Sequence, residues 1–549
     1  MPTIPALFVS CVKQAPYKHF IHAREETIWK AYTREEALDI VAGTAQRLYS
    51  LGVKKGTVVA IWADTSKEWM VADLAIQSLG AISVGIYSTL TPAQVAQQLG
   101  DCKAEMLIVQ SQDLYEKAES ELDELYELVH ILSIDECEDL LPLRPAEADL
   151  EFFAQQVSLV QSNDIACIVY TSGTTGESKG VPLSHDNFVS NLHATQEYAP
   201  LPPNQRSIVC LPMAHSLQRF ATYRAFLEDV EGYVCPLSDF ATVLPEVKPT
   251  LLIAVPRMLE KIQAAAEKKI QERGLIASSL YSWAKQVAYS SRDGTRIRIQ
   301  KQLAHRIFFS KIYHALGGSL THIFCGGAPL HVKNARWFSA MGILVQEGWG
   351  LSESCAPATL NPSHDIRFGS VGKALPNTEI RIANDGEILI RGEGIFTGYL
   401  HRPAETQDAF TADRFFKTGD LGRLDEDGYL YITGRKKDII ITAGGKNISP
   451  ARISAIMQGG IIEALIVIGD QKPYLSALVA IDPDVTFSED EIQTRVERQI
   501  AEGNKKLAPF EQIKKYKILP ESPSVENGFR TPTQKIRRKA LIQKYADLF

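Results

Sequence analysis

An α/β fold is predicted: a large, multi-lobed amino-terminal domain of parallel sheets covered by helices, with a small antiparallel β subdomain, then a small α+β domain. Three observations predict it. Short apolar runs alternate with helical periodicity over roughly the first 320 residues, the pattern of parallel strands covered on both faces. After Gly369 the texture changes to short strands separated by turn residues. At 549 residues the chain also exceeds what one core can organise.

The elements follow in order. Residues 34–52 carry Leu38, Val41, Ala42, Ala45 and Leu48 at helical spacing. A short buried strand at 57–62 precedes a helix through Trp69, and further strands fall at 81–86 and 106–110. The apolar run 165–169 is another buried strand, and the alternation continues past Ile208 and Leu251 to Ile323. Runs at 379–382, 386–391 and 428–432 make the antiparallel, turn-rich part. Residues 434–438 place three consecutive cations between apolar runs and read as a linker. The expected division is therefore an amino-terminal domain over 1–434, with its β subdomain at 369–434, and a carboxy-terminal domain over 435–549.

Composition narrows the function. Hydrophobic residues make up 45% and charged residues 22%, as in ordinary globular proteins. A net charge of −7 gives no global basic field for nucleic acid. The eight cysteines, at 11, 102, 137, 167, 210, 235, 325 and 355, contain no Cys-x-x-Cys pair, which fits reduced thiols in a cytoplasmic protein. Cys167 and Cys325 sit in apolar runs and read as small core residues. The first 20 residues lack a signal-peptide pattern, and no window reaches the roughly 18 apolar residues of a membrane span.

One segment constrains function more than any other. Tyr170-Thr171-Ser172-Gly173-Thr174-Thr175-Gly176-Glu177-Ser178-Lys179-Gly180 follows the strand at 165–169. Backbone N–H groups of a glycine-rich turn converge on an anion, hydroxyls add donors, and Lys179 supplies a full positive charge. This is a triphosphate cradle without the P-loop spacing, since Lys179 precedes Gly180 rather than Ser or Thr. Four further segments share its small, polar texture: Cys325 to Leu330, Gln346 to Glu353, Lys417 to Gly422, and Thr531 to Lys535. Taken singly, Trp349 reads as core, Glu353 and Asp420 as solvated turn acids, and Lys535 as a surface cation. Their order carries the information.

That order resembles the adenylate-forming superfamily of acyl-CoA synthetases, adenylation domains and beetle luciferases, over nearly the whole chain. The resemblance implies two half-reactions: a carboxylate is joined to AMP with release of pyrophosphate, and a thiol then displaces AMP. By motif, Thr171, Ser172, Gly173, Thr174, Thr175 and Lys179 would hold the ATP phosphates, and Glu353 would ligate Mg²⁺, which prefers hard oxygen donors. Trp349, with Gly350 and Ser352 beside it, would stack on adenine, and the backbone of Gly327, Ala328 and Pro329 would line the ring. Asp420 would accept hydrogen bonds from the ribose hydroxyls, with Arg435 in support. Lys535 would bridge the reacting carboxylate and the α-phosphate. The resemblance also makes the carboxy-terminal domain mobile, with its hinge at 434–438 around Lys437. Gly444, Gly445 and Lys446 would then face the pantetheine arm of CoA. Three positions depart from the family pattern: Ser178 for proline, Ser352 for threonine, and Ser454 for glutamate.

Three features favour a long fatty acid as substrate. The segments Leu211 to Arg219 and Ala254 to Lys261 resemble the long-chain synthetase versions of their motifs, with Gln218 in place of the usual glutamate. An extended helical stretch over 258–316 also leads to the Gly317-Gly318 turn. His215 lines the acyl site on one reading and is a buried histidine with a backbone partner on the other. An acyl carrier protein presents the same pantetheine thiol as CoA and stands as the alternative acceptor. An aryl- or medium-chain acid is the alternative substrate, and an inactive nucleotide-binding regulator is the reading from another class. Residues 261–315 hold eleven Lys or Arg against three Asp or Glu. That suggests either a solvated face or a peripheral contact with an anionic membrane on its inner side.

Overall fold

The computed structural model describes the chain except for residues 26–27, 136–139, 172–177, 290–294, 444–445, 484, 526, 532–534 and 546–549. Two compact units account for it: residues 1–380 with 390–416, and residues 381–389 with 417–549.

The larger unit contains two sheets. In the seven-stranded sheet the order is Leu141–Pro142, His130–Ser133, Met106–Val109, Val58–Trp62, Ile82–Ile86, Ile165–Thr171 and Lys179–Ser184. Its central strands pair in parallel, and the last two pair antiparallel. The strand Val58–Trp62 is apolar at every position because helices cover both faces. One of these helices, Arg34–Ser50, begins on a capping box: the Thr33 hydroxyl accepts from Glu36 N–H, and the Glu36 carboxylate accepts from Thr33 N–H. Its Val41, Ala42, Ala45 and Leu48 are buried, as their spacing predicts, while Leu38 at the edge of that face is only half-buried.

The second sheet has nine strands among the described residues. Their order is Lys373–Ala374, Ala356–Leu360, Leu344–Leu351, His322–Cys325, Leu251–Ala254, Gln205–Val209, Val230–Val234, His19–Glu25 and Ile28–Thr33. The middle of this sheet is parallel, and the amino-terminal hairpin closes one edge. Cys167 and Cys325 are buried, as expected of small core residues.

The helical stretch expected over 258–316 is not continuous. It is divided into Pro256–Gln271, Leu275–Tyr289, Thr295–Ala304, a wider π turn at His305–Phe309, and Ser310–Ala315. The first break follows from Gly274, whose φ of +96° ends the helix in a conformation that side-chain-bearing residues avoid.

Beyond Gly369, the strands Thr378–Ile382, Glu387–Gly392, Phe416–Leu424 and Leu430–Arg435 form a four-stranded sheet in chain order. Within the smaller unit a three-stranded sheet joins Ile462–Ile468, Leu475–Ile481 and Ile513–Ile518. Its core packs Ile453, Met457, Leu465, Val479, Val496 and Ile500 between that sheet and the helices Pro450–Met457 and Glu489–Asn504. Among the described residues no helix is long and apolar enough to cross a membrane.

Candidate active site

Four neighbouring parallel strands, Gln205–Val209, Leu251–Ala254, His322–Cys325 and Leu344–Leu351, deliver their carboxyl ends to one side of the nine-stranded sheet. Ligands of open α/β sheets bind at such an edge, because loops there leave the sheet without blocking it. The segments at these ends, 210–217, 255–257, 326–330 and 348–353, overlap those singled out in the sequence, 211–219, 254–261, 325–330 and 346–353. A Cβ on Gly326 would lie 3.4 Å from the carbonyl oxygen of Gly348 and 4.0 Å from Leu217, so three of these loops meet there. Gly350 admits no side chain at all, since a Cβ would fall 1.8 Å from the carbonyl oxygen of Ala356. That contact fixes the path between Trp349 and Glu353.

Glu347 anchors the loop at 326–330. Its buried carboxylate accepts the N–H of Leu330 at 3.0 Å, tying the Gly327-Ala328-Pro329 segment to the strand that carries Trp349. Burial pushes the Glu347 carboxyl up to about 7, against the pull of that hydrogen bond. Ser352 and Glu353 lie in a single 3₁₀ turn, Ser352–Ser354. The side-chain amide of the buried Asn191 holds its far end, donating to the carbonyls of Ser354 and Cys355 at 2.9 and 3.0 Å. Asn191 in turn accepts from Asn377 at 2.7 Å.

A ladder of side chains links Glu353 to Lys179. Tyr399 Oη donates to Glu353 Oε1 at 2.9 Å. The Lys179 ammonium lies 4.9 Å from the Tyr399 ring centroid and pairs with Glu405. Burial, then the Glu353 charge, raises the Tyr399 phenol well above its usual range, so it stays a donor. Lys179, and then Arg402, hold the Glu405 carboxyl below its ordinary value. Thr171 and Lys179 face each other across the antiparallel pair that flanks the loop, with Thr171 Oγ1 3.4 Å from the Lys179 carbonyl. Ser172, Gly173, Thr174 and Thr175 lie outside the described residues.

His215 caps the helix Ser216–Arg224, with Nδ1 accepting Leu217 N–H at 3.1 Å, which leaves the ring proton on Nε2. Behind it the same helix sends the fully buried Arg219 guanidinium to within 3.6 Å of Asp73 and 4.9 Å of the Trp69 ring centroid. Tyr223 Oη donates to Asp73 at 2.5 Å. Removing one partner of such a buried ion pair strands the other, typically at a cost of about 3–5 kcal/mol. The histidine therefore stands on a rigid base.

In the smaller unit, Asp420 faces Arg435 across the Phe416–Leu424/Leu430–Arg435 hairpin and accepts Arg435 Nε–H at 2.9 Å. Asp420 is buried, and its own N–H donates to Thr418 Oγ1 at 3.1 Å. Lys437 belongs to a short 3₁₀ turn, Lys436–Asp438, in which Lys436 pairs with Asp385 and Glu387 at 2.6 and 2.7 Å. Lys446 N–H donates to Thr442 Oγ1 at 3.2 Å, while Gly444 and Gly445 lie outside the described residues. Lys535 pairs with Thr531: its carbonyl accepts Thr531 N–H at 2.8 Å, and its N–H donates to Thr531 Oγ1 at 3.1 Å.

Family models match most of this chain: AMP-binding enzyme over residues 8–400, and AMP-binding enzyme C-terminal domain over 437–549. The chain belongs to the AMP-binding enzyme family. The long-chain-fatty-acid–CoA ligase FadD15 of Mycobacterium bovis is 33% identical over 551 residues, covering 94% of this chain and 92% of that protein. The long-chain-fatty-acid–CoA ligase ACSBG1 of Rattus norvegicus is 28% identical, covering 95% of this chain and 81% of its own. Among solved structures, the anthranilate CoA ligase AuaEII in complex with anthranoyl-AMP superposes with a TM-score of 0.77 at 22% identity, covering 100% of this chain and 98% of that one. The fold is thus that of the AMP-binding enzymes.

Three residues that hold these segments were not singled out from the sequence: Glu347 as an anchor, Asn191 and Tyr399. Tyr399 meets Glu353 across 46 positions and Asn191 meets Ser354 across 163, distances at which no local pattern operates.

Proposed function

We propose that this AMP-binding enzyme activates a long-chain fatty acid with ATP to the acyl-adenylate, releasing pyrophosphate, and transfers the acyl group to the thiol of CoA. The observation that carries the proposal is the 33% identity to FadD15 across 94% of the chain. The convergence of the motif-bearing loops on one sheet edge supports it.

In the first half-reaction negative charge accumulates on the phosphates, so preorganised cations and donors lower the barrier most where that charge develops. Lys179, Thr171 and the loop of Ser172, Gly173, Thr174 and Thr175 would bind the phosphates. Glu353 offers a half-buried carboxylate oriented by Tyr399, a hard oxygen donor suited to Mg²⁺. Bound Mg²⁺ would neutralise phosphate charge. Trp349 and the Gly327-Ala328-Pro329 backbone would hold adenine, and Asp420, steadied by Arg435, the ribose. Lys535 would stabilise the forming anhydride. A hinge at 434–438, as expected from the sequence, would let the carboxy-terminal domain present Lys535 for adenylation and the Gly444-Gly445-Lys446 loop for thioester formation. His215 would border the acyl carboxylate and the incoming thiol.

The test is pyrophosphate release and thioester formation across a panel of acids, with ATP, Mg²⁺ and CoA omitted in turn. Long aliphatic acids should turn over best at low concentration, because each buried methylene contributes about 0.8 kcal/mol. Equal use of acetate and palmitate would overturn the substrate assignment. Lys535→Ala should lose adenylation yet still convert supplied acyl-adenylate and CoA. Loss of both half-reactions together would overturn the division of labour.

A membrane-surface contact belongs to the same proposal. On the helices Leu275–Tyr289 and Thr295–Ala304, Leu275 is 89% exposed, Ile276 80% and Ile299 60%. The surrounding eleven Lys or Arg of 261–315 suit an anionic surface from which a lipid substrate is drawn. Flotation with anionic but not neutral vesicles is expected, and equal binding to both, or none to either, would remove the contact from the proposal.

A further inference from the structure

We propose that His19, His22 and Glu231 form a binding site for a divalent transition cation of the zinc class, clipping the edge strands of the nine-stranded sheet, His19–Glu25 and Ile28–Thr33, to their neighbour Val230–Val234. Each offers one ligand atom, and these atoms all lie within 4.8 Å of one another. His22 Nε2 and Glu231 Oε2 are already 3.0 Å apart. Tetrahedral zinc with bonds of about 2.0–2.1 Å sets neighbouring ligand atoms roughly 3.3 Å apart, so this pair needs almost no adjustment. His19 is exposed and can close the remaining distance by side-chain rotation.

The arrangement depends on an irregularity in the backbone. Residues three apart on a regular strand point to opposite faces. Along His19–Glu25, however, the register against Ile28–Thr33 shifts between His19 and Ile21: His19 pairs with Thr33, and Ile21 with Tyr32. The extra residue is Phe20, whose ring is buried against Phe8 and Phe226. This β-bulge turns both imidazoles to one side, and their ring centroids lie 5.4 Å apart. Glu231 comes from the parallel neighbour Val230–Val234, where Tyr233 stacks on the His22 ring at 4.0 Å and 5° and fixes its plane. Two strands, a bulge and a stacked ring thus preorganise two imidazoles and a carboxylate, a ligand set that suits zinc while leaving a position for water. The His22 proton that now faces Glu231 moves to Nδ1 when Nε2 takes the metal, so binding requires no net proton loss there. The site is built from residues of the larger unit that have no part in the adenylation proposal.

The test uses the full-length protein, purified without a polyhistidine tag and stripped with a chelator, titrated with Zn²⁺ by calorimetry and with Co²⁺ by visible absorption. One equivalent of each metal should bind, with tetrahedral or five-coordinate cobalt bands, and Zn²⁺ should raise the Tm. His19→Ala, at an exposed position, should keep the fold and weaken binding by at least about tenfold. Glu231→Gln, which retains a hydrogen-bond acceptor for His22, should do the same. If the wild-type protein binds no metal, or if His19→Ala and Glu231→Gln bind Zn²⁺ as the wild type does, the three residues are an imidazole–carboxylate pair with a neighbouring histidine and the proposal is wrong.

Discussion

Glu347 and Glu353 stand six residues apart, on one strand and the turn that follows it, and the protein holds them in opposite ways. Glu347 is buried, meets a single backbone N–H, and has its carboxyl pushed up to about 7 by burial. Glu353 is half-buried, receives the Tyr399 hydroxyl, and lies one side chain from the Lys179 ammonium. The first is placed to hold a loop and gains nothing from its charge. Under the proposed function the second is the Mg²⁺ ligand, and the Tyr399 ring stands between it and Lys179, a proposed phosphate-binding cation. Two identical side chains are thus given different surroundings, and the proposed function assigns chemistry only to the second.

The sharpest way to break this comparison is to neutralise each acid without changing its shape. Glu353→Gln should reduce adenylation on the order of 10²–10³-fold, roughly 3–4 kcal/mol of transition-state stabilisation, while unfolding as the wild type does. Single-turnover pyrophosphate release at varied Mg²⁺ measures this. Near-normal activity at limiting Mg²⁺ would place the metal on other groups.

Glu347→Gln should leave a different signature, in stability rather than in the metal dependence. Its folded value of about 7 lies above the ordinary 4.5, so between those values the folded state binds more protons than the unfolded chain. The stability contributed by protonated Glu347 is complete below about pH 4.5 and is lost as pH rises through 7. The loss is on the order of 3 kcal/mol. Glu347→Gln should flatten that part of the stability profile, read by denaturant unfolding from pH 5 to 8. An unchanged slope would show that Glu347 is ionised in the folded protein.

How much of this was legible in the sequence follows from the range of each interaction. The strands at 58–62 and 165–171 declare themselves because burial on both faces leaves continuous apolar runs. Glu353, Asp420 and Lys535 could be singled out as candidates because their motifs are local and ordered along the chain. The division of labour between Glu347 and Glu353 was not legible, because it depends on Leu330, Tyr399 and Asn191, which arrive through the fold. The bulge at Phe20 was equally hidden, since strand alternation alone sends His19 and His22 to opposite faces. The stretch over 258–316 is helical, as its composition indicates, but that composition persists across Gly274 and does not show where the first helix ends.

Asn191 tests whether the Glu353 turn must be held from behind. Cys355 and Ala356 adopt φ values of +50° and +73°, unusual for residues with side chains, and the Asn191 amide satisfies the carbonyls leading into them. Asn191→Ala would leave those carbonyls without that donor and should cost about 2 kcal/mol of stability. It should also raise the Mg²⁺ requirement, because the turn carrying Glu353 would no longer be fixed. A loss of stability with an unaltered Mg²⁺ dependence would confine Asn191 to the fold.

The smallest expected effect belongs to Tyr399, and it asks how Glu353 is aimed. The Tyr399 hydroxyl donates to Oε1, fixing the rotation of the carboxylate, and its ring lies beside the Lys179 side chain. Tyr399→Phe keeps the ring and removes only the hydrogen bond. A hydrogen bond to a charged group contributes about 1.5–3 kcal/mol, but bound Mg²⁺ would recover part of that by satisfying the same oxygen. The net result should be roughly a tenfold higher Mg²⁺ concentration for half-maximal adenylation, with the rate at saturating Mg²⁺ nearly restored. Tyr399→Phe therefore separates orientation from charge: Glu353→Gln should fail at every Mg²⁺ concentration, and Tyr399→Phe should be rescued by excess metal. Failure of excess Mg²⁺ to rescue Tyr399→Phe would mean that the hydroxyl acts on the substrate or on Lys179 rather than through Glu353.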